Sequence, residues 1–428
     1  MQMYDGLPII TNKITTEEQK GVPHHLLGIV RLDEEPWRVG LFKKKARSII
    51  KEIRSRGKLP ILVGGTHYYT QSLLFKDALI SDVAPSEGET GEELSREEIN
   101  RRYPILERST EEILEQLRTV DPVMADRWHP NDRRKIQRSL EIYLMTGQQA
   151  SKVYEEQQER RGLHQGDDSN IVACSEAEVA PLLQSTLFFW VHTDSEVLSK
   201  RLDERVDKML KIGLIDEVET LDKFLHEQAI AGLAVDRSSG IWVSIGYKEF
   251  EPYIEAMKSG ELSSEELQVL FATAVDRTKA ATRQYAKRQI RWIRLKLLAA
   301  LSKANALSKI YLLDGSNLDH WSTSVSGPAM GIAYKFLAEE ELPAPRDMSP
   351  AANELLTPKQ NFDFGDRRDL WVRQTCELCN MTAVTDDQWQ RHVKGRAHRR
   401  AVKKTNKNAS HGRSQTQNSN ITADTKSP

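Results

Sequence analysis

The stretch Pro60-Ile61-Leu62-Val63-Gly64-Gly65-Thr66-His67-Tyr68-Tyr69 constrains this chain more than any other. A short apolar run stops at a glycine pair and gives way to a hydroxyl, an imidazole and two phenols. A strand buried on both faces of a parallel sheet reads as such an uninterrupted run. Ligands of open α/β sheets bind beyond the ends of such strands, and glycine lets the backbone turn tightly or approach a ligand closely. The pattern predicts a strand over Ile61 to Val63 and puts Thr66, His67, Tyr68 and Tyr69 where chemistry is expected. An ordinary strand with a glycine turn accounts for these residues alone at least as well.

A chain of 428 residues has room for two or three domains and a substantial core. Net charge is −1, so nucleic-acid binding would have to come from local patches. No apolar run approaches the roughly 18 residues of a spanning helix, so an integral membrane protein is not expected. The segment from Met1 to Pro8 lacks signal-peptide architecture. Only three cysteines occur, two of them in one motif, which fits a reducing compartment without structural disulfides.

Apolar positions Phe42, Ala46, Ile49, Ile50 and Ile53 follow the 3.6 period of a helix over Leu41 to Arg56, ended by Gly57. A second strand is expected over Thr186 to Val191. The capping residues Asp194 and Ser195 then lead into a helix with Leu198, Leu202, Val206 and Met209 on one face. A third strand falls at Ile310 to Leu313. Alternation of this kind predicts a mostly parallel α/β sheet. Between the first two strands, Ser81 to Ser95 reads as an acidic loop. Ser109 to Glu112 offers a capping box, and a helix runs from about Asn131 to Met145, closed by Gly147. The domain expectation is an α/β core over 1–84 and 156–340 and a helical insertion over 85–155. Within the core, Gln157 to Pro181, with Cys174, is read as a linker segment. A linker at 341–368, a finger at 369–404 and a disordered tail at 405–428 complete the chain.

Cys376-x2-Cys379-x12-His392-x5-His398 has the spacing of a closed tetrahedral zinc site, structural and not catalytic. Its helix should start near Asp386, with Trp389 in the small core. The five-residue histidine spacing resembles the matrin-type fingers of RNA-associated proteins. Lys394, Arg396, Arg399, Arg400, Lys403 and Lys404 surround the helix, so phosphate contact is one reading and a solvated basic tail the other.

Two further helices carry cations. On the helix after Asn131, Arg134, Gln137, Arg138 and Glu141 share a face, and Ile136, Leu140, Tyr143 and Leu144 the other. The first face suits phosphate or base edges, or is simply solvated. From Arg277 to Lys296, basic residues interleave with Tyr285 and Trp292. That combination suits an RNA strand or a diphosphate. It equally fits plain helix surface with the aromatics in the core.

Together these segments resemble the tRNA dimethylallyltransferases (tRNA isopentenyltransferases) in their eukaryotic form with a carboxyl-terminal finger. The matching blocks are Met1-Gln2-Met3-Tyr4, Ile10-Thr11-Asn12-Lys13, Pro23-His24-His25-Leu26, Gly64-Gly65-Thr66 with Tyr69, and Asn131-Asp132-Arg133-Arg134 with Arg138 and Glu141. They continue with Arg205-Val206-Asp207, Ser244 to Glu249 and Arg283 to Gln289. The resemblance implies a P-loop NTPase-like α/β core and a helical insertion that grips the tRNA anticodon arm. It implies transfer of a dimethylallyl group from dimethylallyl diphosphate to the exocyclic amine of the adenine 3′ to the anticodon. Thr66 would lie at the reacting centre and Gln2 beside the flipped base. Arg134, Lys135, Ile136, Gln137 and Arg138 would contact tRNA, and Lys287, Arg288 and Gln289 would line the diphosphate or tRNA side. Zinc in the finger, magnesium with the diphosphate, a monomer, and a cytoplasmic, mitochondrial or nuclear location are implied as well.

The family pattern also holds a G-x-x-x-x-G-K-[ST] loop and an Asp-Ser-Met-Gln block carrying the catalytic aspartate. Here only Met1-Gln2 represents the block, no such loop occurs, and Asp5 is too far along to be assumed a substitute. The expectation is a chain inactive as written unless its true start lies upstream, in a truncated gene model or isoform. A catalytically dead RNA-binding protein that keeps insertion and finger is the alternative, and a P-loop kinase-like enzyme fits the blocks least.

Overall fold

Gly57 has a φ of +64°, the left-handed conformation open to glycine, and ends the first helix, α1 (Val39–Ser55), where the sequence predicts. The structure, a computed structural model, describes residues 1–75, 96–162, 181–358, 373–379 and 381–403. The next expectation fails. Ile61, Leu62 and Val63 form no strand, pair with no neighbour among the described residues, and are 77%, 46% and 85% exposed. An apolar run marks side chains suited to burial, but a strand exists only where another strand meets its backbone groups. The chain resumes regular structure at α2 (His67–Leu74), with Thr66 at its N-cap. Ring contact between Phe42 and Tyr69, centroids 5.0 Å apart and edge-on, ties α2 to α1.

Two compact units divide the chain, Met1–Asp82 with Val172–Phe362, and Val83–Ile171 with Asp363–Pro428. In the second, Ser109 and Glu112 form the expected capping box of α3 (Thr110–Val120). Asp121 is buried; one carboxylate oxygen caps α4 (Pro122–Arg127) through the Met124 amide, and the other accepts the Ser151 amide at 2.8 Å. Next comes α5 (Arg133–Thr146), capped by Asp132 and closed by left-handed Gly147. Ile113, Leu117, Ile136 and Leu140 are fully buried where α3 packs on α5. A further helix, α6 (Ala150–Gly162), extends into the stretch expected as linker. The acidic loop expected at Ser81 to Ser95, and Cys174, lie outside the described residues.

In the first unit, β1 (Phe188–His192) runs parallel to β2 (Ile310–Asp314), in register from Phe188↔Ile310 to His192↔Asp314. Asp194 caps α7 (Ser195–Lys211) by accepting the Glu196 and Val197 amides, and Val206 and Met209 are buried on the predicted face. Helices α8 (Leu214–Ile230), α9 (Tyr247–Ser259) and the 29-residue α10 (Ser264–Trp292) follow. One core joins Tyr4, Leu7, Ile10 and Val30 to Leu214, Val218, Trp242, Tyr247 and Phe250. A second surrounds the sheet with Trp190, Ile310, Leu312, Leu298 and Leu301. Residues 341–358 differ from the linker expectation: α11 (Pro350–Leu356) buries Ala352 and Leu356 in that second core. Two prolines of this stretch, Pro345 and Pro350, stand at helix starts, where the missing N–H costs nothing. The architecture is α/β, with a parallel sheet, a helical insertion and a finger.

The finger pairs β3 (Gln374–Cys376) with β4 (Met381–Ala383) in antiparallel fashion. Its helix α12 (Asp386–Val393) starts at the predicted residue, capped by the Thr385 side chain. The tail 405–428 lies outside the described residues.

Candidate functional site

Gln289 of α10 donates from Nε2 to the carbonyl oxygen of Gly65 at 3.0 Å. One turn on, Trp292 Nε1 donates to Gln71 Oε1 at 3.3 Å. These two bonds seat α2 on the basic-aromatic helix and bring the turn expected to hold Thr66 against Gln289. A Cβ built on Gly65 would overlap the Gln289 amide nitrogen, so close backbone approach is what the glycine supplies here. Thr66 is exposed, and its hydroxyl makes no capping bond to α2. The first amides of α2 are thus left without a capping side chain, at the end of the helix that carries partial positive charge. His67 is half-buried, and desolvation holds its imidazole below the ordinary histidine value. Lys287, Arg288 and Arg291 are exposed on α10. Arg283, another cation of this run, pairs with Asp203 of α7, and Lys279 with Asp207 at 2.6 Å.

Gln2 is exposed and donates from Nε2 to the carbonyl oxygen of Asn12 at 2.7 Å. Asn12 belongs to a turn whose Ile9 and Ile10 amides are accepted by Glu217 of α8. No local signal in the sequence marks Glu217, because its partners lie more than 200 positions away.

On α5 the structure separates residues that the sequence groups together. Arg134, Lys135 and Arg138 are exposed, Lys135 paired with Asp132 at 2.7 Å and over the Trp128 ring at 5.0 Å, Arg138 paired with Glu141 at 2.6 Å. Ile136 is wholly buried, so its side chain packs and cannot touch a ligand. Gln137 is 7% exposed and donates to the Leu106 carbonyl oxygen at 3.2 Å, which satisfies a buried acceptor. Both were expected at the tRNA face; here their side chains are buried, that of Gln137 against the 104–107 turn.

In the finger, one ligand atom from each of Cys376, Cys379, His392 and His398 lies within 4.8 Å of the others. His398 Nδ1 is 3.5 Å from both sulfurs, and His392 Nε2 is buried without a hydrogen-bond partner. A buried nitrogen without a partner beside two thiols is what a tetrahedral zinc ion would satisfy, so the donor set fits zinc. The ion would supply folding energy, not chemistry.

The pattern of the IPP transferase family matches residues 2–296, and that of a zinc-finger of C2H2 type residues 375–398. The tRNA dimethylallyltransferase of Schizosaccharomyces pombe is 33% identical over 428 residues, spanning 96% of this chain and 89% of its own. That of Homo sapiens is 30% identical over 406 residues, spanning 94% and 79%. A solved structure of a eukaryotic dimethylallyltransferase acting on tRNA covers 97% of this chain and 91% of its own, at 31% identity and a TM-score of 0.69. Fold, finger and these similarities define a prenyl-group transferase of tRNA processing. The chain belongs to the IPP transferase family, among the tRNA dimethylallyltransferases.

Proposed function

We propose that the protein transfers the dimethylallyl group of dimethylallyl diphosphate to the exocyclic amine of the adenine 3′ to the tRNA anticodon. The amine nitrogen forms the new bond to the allylic carbon, the carbon–oxygen bond breaks, diphosphate leaves and the amine gives up a proton. An exocyclic amine is a weak nucleophile, so orientation and proton removal matter. The leaving diphosphate gathers negative charge, so prealigned donors matter more. The observation that carries the reading is the Gly65–Gln289 bond. It holds Thr66 and the uncapped start of α2 beside the helix bearing Lys287, Arg288 and Arg291. Thr66 faces the leaving oxygen and the helix end receives the diphosphate, while Lys287, Arg288 and Arg291 serve the diphosphate or the tRNA side. Arg134, Lys135 and Arg138 bind anticodon-arm phosphates, and Gln2 meets the adenine once it leaves its stack. Magnesium would neutralise diphosphate charge, but the contacts of Thr66 and His67 among the described residues include no carboxylate, so no magnesium ligands are assigned. Thr66→Ala tests the reading: transfer should fall about 10²-fold with melting temperature unchanged. Unaltered transfer would overturn it.

A second reading, RNA binding without transfer, would draw on the exposed Arg134, Lys135 and Arg138 of α5 alone. It predicts that residues 1–428 bind the anticodon arm and leave it unmodified.

A further inference from the structure

Glu217 is 8% exposed, and its two carboxylate oxygens accept the backbone N–H groups of Ile9 at 2.8 Å and Ile10 at 2.7 Å. A carboxylate buried this way is costly unless its acceptors are used, and burial raises its pKa against the pull of those two amides and of Lys13. The apolar neighbours Leu7, Ile10, Leu214 and Val218 would pack this core without a charge. The carboxylate therefore does something that packing alone would not.

What it grips is one helical turn over residues 7–13. Thr11 donates from its amide and its hydroxyl to the Leu7 carbonyl oxygen, and the Lys13 amide donates to that of Pro8 at 2.8 Å. The Asn12 amide donates to the Ile9 carbonyl oxygen at 3.0 Å. Glu217 meets the amides near the start of this turn as a capping side chain would, but from another helix. Asn12 ends the turn in the left-handed region, φ +50°, where asparagine is tolerated better than most residues. Its carbonyl there accepts the Nε2 of Gln2 at 2.7 Å. That bond uses one N–H of the Gln2 amide and orients the group, leaving Oε1 and the other N–H for an adenine edge.

We propose that Glu217 is a positioning residue. By clamping the Ile9 and Ile10 amides it fixes the 7–13 turn, and through the Asn12 carbonyl it holds the Gln2 amide ready for the target adenine. The proposal rests on the reading of Gln2 as the base contact. It is tested with the protein made from its complete gene and an anticodon-arm RNA carrying 2-aminopurine in place of that adenine, whose fluorescence rises on unstacking. Glu217→Gln keeps the shape but turns an NH2 toward one of the two amides. Glu217→Gln and Gln2→Ala should each cut the fluorescence rise about fivefold, with RNA affinity within about twofold because phosphate contacts dominate it. The double variant should lose no more than either single one. Asn12→Val, which disfavours positive φ and leaves the carboxylate intact, should give the same loss, so the test does not depend on Glu217→Gln folding well. A loss with Gln2→Ala but none with Glu217→Gln and Asn12→Val overturns the proposal alone, as do losses that add in full. No loss with Gln2→Ala overturns the reading of Gln2 on which it rests.

Discussion

Gln289 and Gly65 are joined by a hydrogen bond of 3.0 Å across 224 positions of sequence. That bond joins two segments, a glycine turn and a basic helix, neither of which is specific alone. Gly65→Ala should push the Gln289 amide off the carbonyl. Loss of one such bond is worth about 1 kcal/mol, so dimethylallyl diphosphate binding should weaken five- to tenfold, roughly. Calorimetric titration checks this, and Gly65→Ala combined with Gln289→Ala should lose little more than Gly65→Ala alone.

His67, next to Thr66, gives a pH signature. Burial lowers its folded pKa, so between that value and the ordinary one near 6.5 the unfolded chain binds more protons than the folded one. Stability from this group is present above about pH 6.5 and is lost as pH falls through the folded value. Urea unfolding from pH 7.5 to 5 should show the decline, and His67→Gln should flatten it.

Substitutions on α5 should divide into two classes. Arg134→Ala, Lys135→Ala and Arg138→Ala should weaken anticodon-arm binding and reduce the salt dependence by about one counterion each, with little change in melting temperature. Ile136→Ala should cost about 2–5 kcal/mol of stability, and Gln137→Ala about 1 kcal/mol. RNA affinity should then change only as far as folding does.

Zinc content should be near one equivalent and fall to none in Cys376→Ala. Affinity should drop with pH, because thiols and imidazoles must shed protons to bind. Metal analysis at pH 7.5 and 5.5 checks both points, and chelation should leave the melting of the α/β unit unchanged.

Local chemistry made much of this fold legible. Asp194, Ser109, Thr385, Gly57 and Gly147 act at the helix ends their residue types predict, since a cap needs only its own turn. The cysteine and histidine spacing located the finger for the same reason. Ile61 to Val63 misled because strand formation depends on a partner the run itself does not specify. The burial of Gln137 was not legible because helical period places it beside the exposed cations, while the Leu106 carbonyl that holds it lies in another segment. Residues 350–356 read as linker because so short an apolar set, Ala351, Ala352, Leu355 and Leu356, does not by itself announce a helix, although Ala352 and Leu356 fill the core below β2. Glu217 carried no signal at all; its meaning comes from two amides 207 and 208 residues away.

Transfer is tested most directly by mass spectrometry of tRNA incubated with dimethylallyl diphosphate, magnesium and the protein made from its complete gene. One dimethylallyl group is expected on the adenine 3′ to the anticodon, nearly absent with Thr66→Ala. A tRNA that binds yet stays unmodified, or carries the group on another nucleotide, would contradict it.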